Sequence, residues 1–282
     1  MIYSLEVNFK SLVQISMSLN IIVLAKQVID PEMPLSAFQI DQESREIITP
    51  STIPPVVNGF DENAVEAALR IKDTQEANVT VISMGQHFAL DVMKKPVSMG
   101  ADQLVLLQDE SFHNAMDALV VAKILSAGIT KLGSFDLIIG GRQASDWDNA
   151  QVPLVLAEIL GLSCITLAKQ IEIKNEAVTV ERQMLDGVEV LEAPLPSLIT
   201  VSNELGQPRY PTLRGIMGAS RKQPTVWSAA DIGINSDDLR QQIEIVDLYL
   251  PTSDKDCEII EGTDDSDSGR LLALKLREAK II

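Results

Sequence analysis

Short, continuous apolar runs alternate with helical patterns up to about residue 160, and this alternation constrains the fold more than any other feature of the chain. The runs cover residues 21–25, 79–83, 104–107 and 137–139. Runs that are this uniformly apolar are typical of strands buried on both faces, because a strand with one solvated face alternates instead. Strands that alternate with helices predict an α/β domain with a doubly wound, mainly parallel sheet.

The pattern changes after residue 160. Short apolar segments separated by turn residues predict a β-hairpin layer that flanks the sheet, and they lie at residues 165–167, 178–180, 188–190 and 198–200. From residue 206 to 224 proline and glycine recur, which predicts an ordered loop or arm rather than a core element. The last residues, from about Gly269, have a helical pattern, and we expect this helix to pack on another chain or to return across this one.

These boundaries predict three parts of the chain. We expect residues 1–16 to be a disordered leader or a start-site artefact, because they precede the first clear strand and lack the apolar stretch of a signal peptide. Residues 17–205 form the predicted α/β nucleotide-binding domain. Residues 206–282 form a predicted loop, an extended arm and a terminal helix.

Charge and composition exclude several classes of protein. The formal net charge of −17 argues against a nucleic-acid-binding surface. The chain has 2 cysteines, without metal-ligand spacing, so we expect a cytoplasmic protein and no metal site. No segment is long and apolar enough to predict membrane insertion. Neither a dinucleotide fingerprint, a P-loop motif nor a catalytic Ser/His/Asp order is present, so we name no catalytic residue.

The segment G-G-R-Q-A-S-D-W-D-N-A-Q-V at residues 140–152 joins the predicted strand at 137–139 to a helical pattern at 153–160. Open parallel sheets bind ligands at the carboxyl ends of their strands. Free N–H groups and the helix dipole favour a phosphate there. The predicted cofactor-binding residues of this nucleotide loop are Gly141, Arg142, Gln143, Ala144, Ser145, Asp146, Asp148, Asn149, Ala150, Gln151 and Val152.

Three further segments should converge with the nucleotide loop at the same edge of the sheet. They add the candidate cofactor-binding residues Leu24, Ala25, Lys26, Asn58, Gly59, Phe60, Asp61, Met84 and Gly85. Simpler alternatives stay open at this point. Asp146 or Asp148 could be the N-cap of the following helix. Lys26 could be a surface lysine, and Asn58-Gly59 could be an ordinary turn before a helix.

The order of these motifs resembles that of the electron-transfer flavoprotein beta-subunit family, over roughly residues 20–282. G-R-Q-A-x-D-x-D-x-x-Q is similar to the family's nucleotide loop, and V-L-A-K-Q-V-I-D to its opening strand. N-G-F-D-E-N-A-V-E-A-A-L-R resembles N-P-F-[DC]-E-x-A-[IV]-E-x-A-[LV]-R, with Gly59 in place of proline. V-E-R-Q-M-L-D-G-V-E-V-L-E-A-P resembles the family's strand pair, with Leu185 where an acidic residue is usual. N-E-L-G-Q-P-R-Y-P-T-L-R-G-I-M-G-A resembles L-N-E-P-R-Y-A-T-L-x-x-I-M-x-A.

This resemblance implies an electron carrier rather than an enzyme, on an adenine nucleotide alpha hydrolase-like fold. The beta subunit would form a heterodimer with an alpha subunit that holds most of the shuttling FAD. Its own site would hold AMP, or a second FAD in members that bifurcate electrons from NADH. The N-A-Q-V stretch at 149–152 and Asp61 favour the second FAD, whereas Trp147 stands where bifurcating members usually have glycine.

The resemblance also implies that residues 206–282 comprise a partner-recognition loop, together with an extended arm and a terminal helix that dock on the alpha subunit. The loop would carry a surface for redox partners. Leu213 matches the leucine that anchors flavoprotein dehydrogenases such as acyl-CoA dehydrogenases, and Tyr210, Ile216 and Met217 belong to the same motif. Family members often carry lysines after the I-M pair, whereas residues 218–222 of this chain form a weaker basic cluster.

Two other functions remain open. A stand-alone α/β protein that binds or hydrolyses adenine nucleotides would share the fold, but it would not need an exposed apolar anchor. A degenerate subunit that stabilises a complex without any nucleotide is disfavoured by the intact nucleotide loop.

Overall fold

The computed structural model describes residues 18–48, 50, 52–112, 117–250 and 257–282. The leader expected at residues 1–16 lies outside this described part. The chain divides into two compact units. The larger comprises the described residues of Met1–Gln39 and Ile47–Val246, and the smaller those of Ile40–Glu46 and Asp247–Ile282.

The elements follow in chain order. The strands are β1 Leu19–Leu24, β2 Gln27–Val28, β3 Gln39–Asp41, β4 Glu46–Ile48, β5 Val56–Val57, β6 Ala77–Gly85, β7 Gln103–Gln108, β8 Leu137–Gly141, β9 Ser163–Lys174, β10 Ala177–Gln183, β11 Val188–Pro194, β12 Ser197–Val201 and β13 Thr225–Trp227. The helices are α1 Gly59–Thr74, α2 Leu90–Met93, α3 Lys95–Met99, α4 Ala118–Leu132, α5 Val152–Leu160, α6 Leu213–Arg221 and α7 Asp265–Glu278.

A single sheet of 9 strands organises the larger unit, in the order β11-β10-β9-β12-β8-β1-β6-β7-β13. Strands β9, β12, β8, β1, β6, β7 and β13 pair in parallel. Strands β9, β10 and β11 pair antiparallel. The predicted doubly wound, mainly parallel α/β fold is therefore confirmed. Of the predicted hairpin strands, β9, β10 and β11 pair antiparallel and extend one end of the sheet. The prediction is wrong for residues 198–200, because they belong to β12, which lies inside the sheet and pairs in parallel with β8 and β9.

Each central strand contributes side chains to two hydrophobic cores, one on each face of the sheet. In β1, Ile21 and Val23 pack with α1, whereas Ile22 and Leu24 pack with α4 and α5. This division explains why the runs are continuously apolar, since no side chain of a strand covered on both faces points to water. All residues of β8 and β12 are buried.

A proline marks the place where a helix is interrupted, and a glycine marks the place where a helix packs closely against the sheet. The helical segment after β6 is divided in two, since α2 ends at Met93 and Pro96 lies in the first turn of α3, where a missing N–H is tolerated. Gly128 lets α4 approach the sheet, because a Cβ there would lie 2.7 Å from a methyl group of Leu107.

Several elements differ from the sequence-based expectations. The arm predicted at 206–224 contains α6, although Gly215 and Gly218 lower its helix propensity. In the smaller unit, α7 begins before Gly269, since Asp264 accepts a hydrogen bond from the backbone N–H of Asp267 and caps the helix. Strand β13, which pairs with β7, was not predicted. None of the helices in the described part of the chain is long and apolar enough to cross a bilayer.

Candidate functional site

The candidate site lies where β1, β8 and β12 end side by side. The short antiparallel pair of β2 and β5 brings the chain back to this edge, so that the backbone N–H of Asn58 donates to the carbonyl of Lys26 at 2.9 Å. Helix α1 starts directly afterwards, at Gly59. The end of β1, the start of α1 and the nucleotide loop, residues 140–152, therefore meet at one place.

Asp61 connects three segments of the site. Its Oδ1 accepts a hydrogen bond from the backbone N–H of Gly141 at 3.1 Å, and its Oδ2 accepts one from the backbone N–H of Lys26 at 2.8 Å. The residue is 6% exposed. Burial raises the pKa of this carboxyl to about 7, against the opposing effect of the hydrogen bonds that it accepts. Asp61 thus has a structural role that fixes both backbone segments.

Asn58 ties the nucleotide loop to the start of α1. This fully buried side chain donates from Nδ2 to the carbonyl of Gln143 at 2.8 Å and accepts at Oδ1 from the backbone N–H of Ser145 at 3.2 Å. Asn58 does precede a helix, as the simpler turn alternative required. Its side chain, however, makes no capping bond to α1 and is committed to the loop.

Gly141 occupies a position with no room for a side chain. A Cβ on this residue would lie 2.7 Å from the backbone carbonyl carbon of Phe60. The close approach of α1 to the end of β8 therefore requires glycine. Phe60 also lies under Arg142, whose guanidinium carbon is 5.3 Å from the centre of the ring.

An ion pair joins the lysine after β1 to the nucleotide loop. Lys26 Nζ donates to Asp146 Oδ2 at 2.6 Å, with Lys26 about half exposed and Asp146 largely buried. Lys26 is thus a partly exposed lysine, as the surface alternative requires, and it also pairs with the nucleotide loop. The pair places an ammonium group beside the loop at the edge where free N–H groups favour phosphates.

Two buried polar atoms of the loop have no partner among the described residues. They are the Ser145 hydroxyl oxygen and Asp146 Oδ1. Because unpaired buried polar atoms are rare and costly, they indicate a missing partner. A carboxylate oxygen accepts hydrogen bonds, so it suits a hydroxyl or amino group of a nucleoside better than a phosphate oxygen. The residues present thus fit the hydroxyl and amino groups of a nucleotide.

The rest of the nucleotide loop is ordered by its own hydrogen bonds. Gln143 Nε2 donates to Asp148 Oδ1 at 2.7 Å, and the backbone N–H of Asp148 donates to the carbonyl of Ala144 at 2.9 Å. Asp148 and Ala150 adopt φ of +51° and +53°. Such strained conformations cluster at functional sites.

Neither aspartate caps α5. The N-cap position is Gln151, without a side-chain capping bond, so the alternative of a cap at Asp146 or Asp148 is wrong. The first turn, which includes Val152, keeps free backbone N–H groups except at Pro153, and Asn149, Ala150 and Gln151 are exposed beside it. These groups can receive a ligand.

The remaining predicted residues lie around this centre. Leu24 and Ala25 are buried, and the backbone N–H of Ala25 continues the sheet by donating to the carbonyl of Ile82 at 3.0 Å. Met84 and Gly85 lie at the end of β6, which β1 separates from β8. They belong to the same edge but are further from the nucleotide loop.

The end of β12 adds residues that the sequence analysis did not identify. The backbone N–H of Arg142 donates to the carbonyl of Val201 at 2.8 Å. A hydrogen bond from Ser202 lowers the pKa of Glu204, and the charge of Arg142 contributes. Leu167 has φ of +59° nearby, where its backbone N–H donates to Thr200 Oγ1. These residues at the end of β12 could not be identified from the sequence, because they join the site only through the pairing of β12 with β8.

The predicted partner residues lie on or beside α6 and are open to solvent. Tyr210 and Leu213 are 92% and 75% exposed, and Ile216 and Met217 are 50% and 53% exposed. No cluster of His, Cys, Asp and Glu in the described residues could hold a metal ion.

Comparison with known proteins places these features in a family. A family model of the electron transfer flavoprotein domain matches residues 47–232. The caffeyl-CoA reductase-Etf complex subunit CarD of Acetobacterium woodii is 36% identical, over 94% of this chain and 100% of the relative. Electron transfer flavoprotein beta subunits of Thermoanaerobacterium thermosaccharolyticum and Clostridium acetobutylicum are 36% and 38% identical, over 86% and 78% of this chain and 93% and 83% of the relatives. The chain belongs to the electron-transfer flavoprotein beta-subunit family.

Proposed function

We propose that this protein is the beta subunit of a heterodimeric electron-transfer flavoprotein, which carries electrons between flavoprotein dehydrogenases and an acceptor. The observation that carries the proposal is the nucleotide loop, in which Asn58 and Asp61 fix the backbone while Ser145 Oγ and Asp146 Oδ1 stay unpaired. A loop held in place before its ligand arrives binds that ligand without paying for ordering.

The site divides into two chemical parts. Asp146 Oδ1 and Ser145 Oγ offer hydrogen bonds to the sugar or base of a nucleotide. Lys26, Arg142 and the free N–H groups at the start of α5 favour its phosphates. AMP and the adenylate half of FAD share this chemistry, so either fits the residues present. A flavin, when bound, supplies the electron-accepting ring, and the residues of this chain bind and orient its nucleotide part.

The exposed apolar face of α6 supports a role in electron exchange between proteins. Leu213, Ile216 and Met217 remain exposed beside Tyr210. Apolar side chains gathered on one exposed helix mark an interaction site. We assign this face to flavoprotein dehydrogenases of the acyl-CoA type, since a relative is named as a subunit of a caffeyl-CoA reductase-Etf complex.

The first experiment is to co-express this chain with its alpha subunit, purify the complex and quantify the FAD and AMP that denaturation releases. One FAD and one AMP per heterodimer would identify a simple one-flavin carrier. Two FAD and no AMP would identify a bifurcating type, and NADH would be the next donor to test.

Other outcomes of the same experiment would contradict the proposal. A chain that purifies alone, without flavin and with bound ATP or ADP, would make it a stand-alone nucleotide-binding or hydrolysing protein. A heterodimer with flavin but with no nucleotide in the beta site would make it a stabilising subunit only. Reduction of the bound flavin by a reduced acyl-CoA dehydrogenase tests the electron-transfer role directly.

A further inference from the structure

The segment that leads into α6 is tied to helix α1 by charged groups. Arg209 donates from its backbone N–H to Glu66 Oε2 at 3.1 Å and from Nε to the same oxygen at 2.8 Å. Its Nη2 donates to Asp73 Oδ2 at 2.7 Å. One arginine therefore bridges two carboxylates that are seven residues apart on the same face of α1.

Glu66 is the buried end of this arrangement, since it is 5% exposed. Burial alone would raise the pKa of Glu66, but hydrogen bonds from Arg209 and Arg70 outweigh burial and hold the pKa below its usual range. Hydrogen bonds to Asp73 and Glu66 raise the pKa of the Arg209 guanidinium. Removal of Arg209 would leave the buried Glu66 carboxylate with only Arg70 of these two cationic partners, and such a loss is costly for a buried charge.

Helix α1 also binds the backbone that precedes Arg209. Arg70 Nη1 donates to the carbonyl of Leu205 at 2.8 Å, and Asn63 Nδ2 donates to the carbonyl of Gly206 at 2.8 Å. We call Asn63, Glu66, Arg70 and Asp73, together with Arg209, the α1 clamp. The clamp fixes residues 205–209 by both backbone and side-chain contacts.

Beyond the clamp, α6 is held on its other side. Thr212 caps the helix by accepting from the backbone N–H of Gly215 at 3.0 Å. A Cβ on Gly215 would overlap the carbonyl oxygen of Ser98 in α3, so the two helices are in close contact. Ala219 is buried in the same contact, whereas Leu213 and Met217 face the solvent. The apolar face is thus oriented by the segment before it and by α3.

We propose that Arg209 is a positioning residue for redox-partner recognition, because the α1 clamp sets the orientation in which α6 presents its apolar face. The inference rests on the proposed function, since the apolar face needs a partner to bind. A variant of Glu66 distinguishes two possible roles of Arg209, which are positioning of α6 and direct contact with the partner. A side chain that is almost fully buried cannot reach a partner, so any effect of changing it must pass through the clamp residues that it binds, Arg209 and Arg70.

The test uses the flavin-loaded heterodimer with its alpha subunit. An acyl-CoA dehydrogenase from the same organism, reduced with butyryl-CoA, serves as the electron-donating probe. Arg209→Gln and Glu66→Gln should each raise KM for the dehydrogenase about tenfold, with kcat and flavin content as in the wild type. Lys174→Gln is the matched control, since it removes one positive charge from an exposed pair with Glu172 and should leave KM unchanged.

Two results would overturn the inference. If only Arg209→Gln raises KM, Arg209 contacts the partner directly; if neither variant raises it, the clamp does not position the surface. Asp73→Asn is the second variant should Glu66→Gln fail to fold, because Asp73 is 57% exposed and its removal leaves no buried charge. It should raise KM in the same direction.

Amide hydrogen exchange tests the α1 clamp independently of electron transfer, so a failure of this inference can be told apart from a failure of the proposed function. The amides of residues 213–221 should exchange faster in Arg209→Gln and Glu66→Gln than in the wild type or Lys174→Gln. Unchanged exchange would contradict the clamp whatever the electron-transfer result. A wild-type heterodimer that accepts no electrons from the probe, while the exchange difference is present, would instead contradict the assignment of the partner and with it the role in recognition.

Discussion

Asp61 Oδ1 accepts a hydrogen bond from the backbone N–H of Gly141 at 3.1 Å, which joins the first turn of α1 to the last residue of β8. The two residues are 80 positions apart in the sequence. The other oxygen of the same carboxylate accepts a hydrogen bond from the backbone N–H of Lys26, just after β1. One buried side chain therefore sets the spacing between the ends of β1 and β8.

Replacement of Gly141 by alanine should destabilise the protein and reduce its nucleotide content. The new Cβ would lie 2.7 Å from the backbone carbonyl carbon of Phe60, and relief requires α1 to move. We expect a loss of about 1–3 kcal/mol in the free energy of unfolding, as overpacking usually costs. Chemical denaturation measures it. Gly187→Ala is the control, since a Cβ added at that position would meet no atom within 4 Å. Equal stability of the two variants would show that α1 is not closely packed here.

Asp61 should make the folded protein less stable as the pH rises. Burial raises its pKa from 3.8 to about 7. The folded state therefore binds more protons than the unfolded state between these values. The contribution of Asp61 is fully present below pH 4 and is lost as the pH rises to about 7, by a few kcal/mol at most.

Thermal unfolding of the wild type and Asp61→Asn from pH 4 to pH 8 measures this contribution. The wild type should lose stability with rising pH relative to the variant, whose amide does not titrate in this range. Asp61→Asn should also be less stable at low pH, because an amide group offers only one acceptor to the two backbone N–H donors. Parallel pH profiles would mean that Asp61 titrates at its ordinary pKa.

Ser145→Ala should weaken nucleotide binding without lowering the stability of the nucleotide-free protein. The Ser145 hydroxyl has no partner among the described residues, so its removal breaks no internal hydrogen bond. We expect the Kd for AMP, measured by calorimetry on the nucleotide-depleted heterodimer, to rise about tenfold. Ser197→Ala is the opposite control, because Ser197 Oγ donates to the carbonyl of Pro194. The Ser197→Ala variant should be less stable than the wild type and should bind AMP with an unchanged Kd. The same behaviour in Ser145→Ala would show that Ser145 has a structural role and does not bind the nucleotide.

Leu213→Ala should impair electron exchange but not folding. Leu213 is 75% exposed, so its truncation removes little buried apolar surface from the free subunit. If the side chain enters a pocket of the dehydrogenase, KM for the dehydrogenase should rise by about tenfold or more. Leu185→Ala is the control, since Leu185 is fully exposed on the β10–β11 turn. Equal KM values for the two variants would place the partner surface elsewhere.

The apolar runs predicted the central strands because each of their side chains is buried by a helix layer on one face or the other. Residues 21–25, 79–83, 104–107 and 137–139 correspond to β1, β6, β7 and β8. The failures lie where local propensity is weak. Helix α6 was not predicted because it contains two glycines, which lower helix propensity. Strand β13 has only three residues, which are too few for a recognisable pattern.

The class of fold, the loop at the end of β8 and the family motifs can all be read from the sequence, because hydrophobic period and residue order are local properties. The contacts between distant residues arise in the tertiary structure. It paired Asp61 with Gly141, Lys26 with Asp146 and Arg209 with Glu66, the last two 120 and 143 positions apart. The order of strands in a sheet and the face that a helix buries are set by packing of the whole chain. No local pattern therefore encodes which strand ends, and which side chains, become neighbours.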